Sequence, residues 1–88
     1  MELPKEVMDR ILSMQRNEVT EGLIYQRIAG VVKKDEEKKT LLRIAEEEKG
    51  HAEIWKTYTG QDCKPNMRRA RWYTLLARRI MGLQSCPE

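Results

Sequence analysis

Apolar side chains recur at alternating spacings of four and three along most of the chain, the repeat that places them on one stripe of an α-helix. Over the first third, the stripe reads Val7, Ile11, Met14, Glu18, Glu21, Tyr25, Ile28 and Val32. Over the second third it reads Leu41, Ile44, Glu48, His51, Trp55 and Tyr58. Two segments interrupt the pattern, 30–37 (GVVKKDEE) and 60–66 (GQDCKPN). The first supplies a Gly and then Asp35 to cap a helix start. The second combines Gly, Asp and Pro, which stop one helix and let another begin at Pro65. The pattern predicts three helices, about 4–31, about 35–59 and about 65–84. No segment alternates with period two long enough to make a sheet. The expected fold is all-α: an antiparallel helical hairpin closed by a short connection, plus a third helix.

Both stripes carry the same irregularity. Their ends are apolar or aromatic, and their centres hold an ionisable pair, Glu18 with Glu21 and Glu48 with His51. With the hairpin turn centred near Lys33, Glu18 precedes it and Glu48 follows it by the same number of residues. At about 1.5 Å rise per residue, both then stand at one level, roughly 22 Å from the turn. Glu21 and His51 flank that level, so four ionisable groups are expected to converge in one layer. Carboxylates in an apolar seam cost several kcal/mol each unless they are compensated, against a domain stability of about 5–15 kcal/mol. A multivalent cation compensates them directly, and oxygen plus imidazole donors suit iron, manganese or zinc better than calcium. The Glu48-x-x-His51 step puts an oxygen and a nitrogen on one helix face.

Composition narrows the setting. A chain of 88 residues is one small domain with a thin core, so a partner subunit or a bound metal is expected to support it. The net charge of +3 gives no strong bias toward polyanions, and no specific nucleic-acid partner is expected. No apolar run is long enough to cross a membrane. The opening MELPKEVMDRIL is acidic and lacks a signal-peptide core, which makes the cytoplasm the default address. Cys63 and Cys86 fit no metal or redox spacing and are expected to be reduced bystanders.

One hairpin supplies only half the ligands of a dinuclear carboxylate centre, which takes one Glu from each of two helices and Glu-x-x-His from each of two others. Two copies related by a two-fold axis supply Glu18, Glu21, Glu48 and His51 twice. The count predicts a homodimeric four-helix bundle with the centre on its axis.

At these residues the chain resembles a known family. NEVTEGLIYQRIAG followed by LLRIAEEEKGHAEIW is similar to the rubrerythrin branch of the ferritin-like di-iron carboxylate proteins. Within it, the closest flavour is the rubrerythrin-like domain often joined to iron-transporter-type membrane regions, where a segment like YTGQDCKPNMRRARWYTLLARRIMGL follows the second helix. The resemblance runs from about Met14 to Leu83. Glu18 with Tyr25 and Glu48 with His51 match the branch's pattern, and Glu21 matches the extra Glu of its other half. The resemblance implies that residues 1–88 form a ferritin-like half-domain that dimerises into a four-helix bundle. It also implies two iron ions per dimer, with manganese or zinc as substitutes, held by Glu18, Glu21, Glu48 and His51. Tyr25 would then hydrogen-bond a metal-bound carboxylate. The implied chemistry is iron(II) oxidation or reduction of peroxide or dioxygen, with an electron donor that the sequence does not name. The chain departs from the branch in having no second Glu-x-x-His and no rubredoxin-like Cys pairs.

Other readings stand beside these. The four ionisable groups suit a partly exposed hairpin edge neutralised by Arg16, Arg27 or Lys49, and Glu46, Glu47 and Glu53 suit a solvated face. In the third helix Arg68, Arg69, Arg71, Arg78 and Arg79 alternate with Trp72, Tyr73, Leu75, Leu76, Ile80 and Met81. Such a helix either packs its apolar face across the hairpin or dimer, or contacts a membrane surface or a protein. The second course would make the chain a non-enzymatic interaction or iron-sensing module.

Overall fold

The computed structural model describes residues 2–84, with side chains described as far as residue 82, so Cys86 lies outside the described residues. Those residues form three helices and no strand: α1 Lys5–Ala29, α2 Asp35–Thr59 and α3 Met67–Gln84. The all-α expectation holds, and the boundaries move by two residues or fewer. None of these helices is long and apolar enough to cross a membrane.

Each end has a local cause. α1 starts after Pro4, whose carbonyl accepts from the Met8 N–H at 2.9 Å. It stops at Ala29, where the N–H groups of Gly30 and Val31 turn to carbonyls three residues back. Lys34, with extended backbone, precedes α2, so Asp35 is its first helical residue rather than the expected cap. Asp35, Glu36 and Glu37 instead oppose the positive end of the helix dipole. Gly60 ends α2 in the left-handed region, at φ +65°, and its N–H bonds the Lys56 carbonyl at 2.7 Å. α3 begins two residues later than expected because Asn66 caps it, its Oδ1 accepting from the Arg69 N–H at 3.2 Å.

α1 and α2 form the antiparallel hairpin. The contact between them is made by small side chains: Gly22 lies against Ala45 and Glu48, and Ala45 and Ala52 are buried. The two stripes were expected to form this seam; Ile11 and Val32 are buried and Glu48 touches Gly22, while the rest flank it. α3 packs on α1 alone and not on α2. Its fully buried Ala70 and buried Thr74 lie on that contact, while Asn66, Arg69 and Tyr73 meet α1 at successively later positions, so the two helices run parallel.

Two buried polar residues of α1 fix the connection between α2 and α3. Gln15 donates to the Gln61 carbonyl at 2.6 Å and accepts from the Thr59 hydroxyl at 2.8 Å. Thr20, fully buried, accepts from the Asn66 N–H at 2.9 Å and donates to the Arg16 carbonyl at 2.7 Å.

On α1, Gln15 and Gly22 point to α2, and Thr20 and Ile24 point to α3. At about 100° per residue these directions are roughly 170° apart. The three helices therefore lie side by side in one layer, with Cα extents of 61 × 23 × 14 Å. The radius of gyration is 15.8 Å, against about 12 Å for a compact chain of this length. Val7, Met14, Glu18, Glu21, Tyr25 and Ile28 project from one broad face of that layer, beside the stripe of α2.

Candidate metal centre

Glu18 and Glu21 stand one turn apart on the open side of α1, and Glu48 and His51 stand one turn apart on α2. Side chains tilt toward the N-terminus of their own helix. In an antiparallel hairpin, those of α1 therefore reach away from the turn and those of α2 reach toward it. This tilt shifts the pairing from the expected one, so that Glu18 meets His51 and Glu21 meets Glu48. All four expected ligands are nonetheless brought into one patch.

The His51 ring orders the cluster. Its Nδ1 lies 3.1 Å from Glu48 Oε1 and 3.9 Å from Glu18 Oε1. One donor atom from each of Glu18, Glu48 and His51 falls within 4.8 Å of the other two. Metal–ligand distances of about 2.0–2.2 Å bring such atoms around a single ion after small rotamer adjustments. Glu48 is largely covered, with 15% of its side chain exposed, whereas His51 has 54% exposed. The centre is thus closed by protein beneath and open above.

Two observations show strain in the bare carboxylates. Glu18 Oε2 is buried with no hydrogen-bond partner, which is costly for a carboxylate oxygen. Glu21 is held above its ordinary value of 4.5, first by a hydrogen bond with the Glu48 carboxyl, then by burial and by the Glu48 charge. Arg69 opposes this, its Nη2 lying 3.6 Å from Glu21 Oε1. The same guanidinium donates to Asn17 Oδ1 at 3.4 Å and sits over the Tyr73 ring, 5.8 Å from its centroid.

Arg69 was not singled out as a member of the site. The cations expected to neutralise the cluster were Arg16, Arg27 and Lys49, and Lys49 instead lies along Gly22. Arg69 shares a helical stripe with Tyr73, Leu76 and Ile80, a periodicity that would have separated it from its neighbouring arginines. Tyr25 lines a shallow groove with Glu21, Ile24, Ile28, Arg69 and Tyr73. The His51 ring is held through its Nδ1 by the Glu48 carboxylate. Trp55 and Tyr58 continue the stripe beyond His51, their rings 6.3 Å apart and tilted by 52°. Cys63 is a free, half-buried thiol directed at the Leu12 carbonyl at 3.8 Å, away from the cluster.

No family model, no curated protein and no solved structure matches the chain.

Proposed function

We propose that this chain is a rubrerythrin-like, ferritin-like protein that binds non-haem iron at Glu18, Glu21, Glu48 and His51. In this reading two copies together hold two iron ions. The observation that carries it is the convergence of Glu18, Glu48 and His51 within 4.8 Å, from two helices, together with a buried Glu18 oxygen that lacks a partner. Two carboxylates and an imidazole suit iron or manganese, with zinc as a competitor. Bound iron would supply one-electron chemistry toward dioxygen or peroxide, or its own oxidation from the ferrous state.

The chain's own groups have separate tasks. Glu18 and Glu48 bring the negative charge, and Glu48 also fixes the His51 ring through its Nδ1. Glu21 is held above an ordinary carboxyl chiefly by its neighbour Glu48, so a cation bound between the two would relieve their repulsion. Arg69 keeps Glu21 oriented from the α3 side. Trp55 and Tyr58 continue the same stripe of α2 one and two turns beyond His51.

Replacing Glu48 with Ala removes an oxygen donor and the orienting partner of His51 together. Metal-free Glu48→Ala is expected to keep the helical circular dichroism of the parent and to lose stoichiometric iron(II) uptake. Full uptake by that variant would overturn the ligand assignment.

A second reading rests on α3. Trp72 is 65% exposed and Leu75 58%, with Arg68, Arg71, Arg78 and Arg79 exposed around them. A helix of this kind contacts anionic membrane surfaces. That reading expects co-sedimentation with anionic vesicles that is lost on replacing Arg78 and Arg79, together with no specific metal uptake.

A further inference from the structure

The broad face that carries Glu18, Glu21, Glu48 and His51 also carries much of the unburied apolar surface. Val7 and Met14 lie on one side of the cluster on α1, and Tyr58 extends the stripe of α2. On α3 the positions that continue this face are Tyr73, Leu76 and Ile80, all more than 40% exposed. The chain exposes 7014 Å² in all, whereas a compact chain of its mass exposes about 5,400 Å². The surplus of about 1,600 Å² is spread over the whole layer and exceeds the roughly 800 Å² that each partner contributes to a standard interface, so one broad face can supply that area.

The distribution of charge on the face says what covers it. Three carboxylates and one guanidinium meet at its centre, a net of two negative charges. Apolar groups lie outside that centre. When two identical faces meet about a two-fold axis through the centre, apolar ends meet apolar ends and centre meets centre. The centre then concentrates four negative charges in a closing, low-dielectric layer, which opposes association. Two divalent cations cancel them.

We infer that the open face of the helical layer, centred on Glu18, Glu21, Glu48 and His51 and extended by Tyr73, Leu76 and Ile80, is a self-association surface that a second copy covers only when divalent cations occupy the cluster. The inference rests on the metal-binding reading above and adds the coupling of assembly to cation. Metal-free chains repel at the centre of the face, and loaded chains close over it.

Sedimentation velocity tests this with manganese(II) as probe, in parallel with equilibrium dialysis that counts bound metal. The full chain is expected to sediment as a monomer in chelator and at twice that mass with saturating manganese(II). Leu76→Glu/Ile80→Glu changes only exposed α3 positions, so it should keep its helicity and metal-dependent dimerisation should weaken by at least about tenfold. Glu48→Gln, which leaves the apolar surface intact and removes one carboxylate from each copy, should lose the dependence on manganese(II), its dimer fraction being the same in chelator and in saturating metal. An equal dimer fraction of the parent with and without metal would overturn the inference, as would undiminished dimerisation of the α3 variant. Stoichiometric binding by a monomer would also overturn it while leaving the metal site standing. A loaded monomer that co-sediments with phosphatidylglycerol vesicles through Leu76 and Ile80 would give the face to a membrane instead. Absence of manganese(II) and iron(II) uptake would remove the site on which the inference rests.

Discussion

Glu21 differs from the acids around it because its neighbour across the hairpin is another carboxyl. The shared hydrogen bond with Glu48 raises it, burial and the Glu48 charge add to that, and Arg69 subtracts. A carboxyl raised in the folded state contributes stability that is fully present below its unfolded value and lost as pH rises through the folded one. With an ordinary value of 4.5, the metal-free protein loses this contribution over the pH window that opens above that value. Denaturant midpoints measured across that window should fall more steeply for the parent than for Glu21→Gln, in which one of the paired charges is gone. Parallel slopes would contradict the pairing. Gln15 governs a different point. Its amide joins the Gln61 carbonyl to the Thr59 hydroxyl within a buried pocket. Gln15→Leu removes both bonds, leaving these partners only the longer 3.3 Å bond from the Thr59 hydroxyl to the Gln61 carbonyl, and should cost about 1–3 kcal/mol in urea unfolding.

Within the helices, two glycines make opposite demands. Gly60 closes α2 at φ +65°, where a side chain is strained by about 1–2 kcal/mol, so Gly60→Ala should lower stability by that amount. Gly50 lies inside α2 with open space where a Cβ would go. Gly50→Ala should therefore raise stability by about 0.5–1 kcal/mol through helix propensity alone, and thermal denaturation of the pair gives the signs directly. The elements themselves were legible in the sequence because the four–three spacing and the Gly and Pro punctuation are local signals. So was the interrupted centre of each stripe, since spacing alone puts Glu18 beside Glu21 and Glu48 beside His51. The partnering of those pairs was not legible to counting from the turn, which ignores the tilt of side chains along each helix. Nor was the seam: Gly22, Ala45 and Ala52 have little hydropathy to advertise, yet their small size is what lets the helices approach. Arg69 was hidden among four other arginines, and only the parallel placement of α3 on α1 distinguishes it.

At the scale of the molecule, three helices in a single layer leave one broad face with an acidic centre and apolar surroundings. A small chain that buries mostly alanine, threonine and a few branched residues has little core of its own. The same face that lacks cover holds the donor cluster, so the proposed assembly and metal binding would draw on one surface. Metal binding at this cluster underlies both the proposed function and the proposed assembly. An anaerobic iron(II) titration of the metal-free protein, counting bound iron per chain, tests it most directly. Saturation near one iron per chain is the predicted result, since two copies share a centre for two ions. Iron that never rises above a small fraction per chain, or that binds equally well after Glu18, Glu48 and His51 are all replaced by Ala, would contradict it.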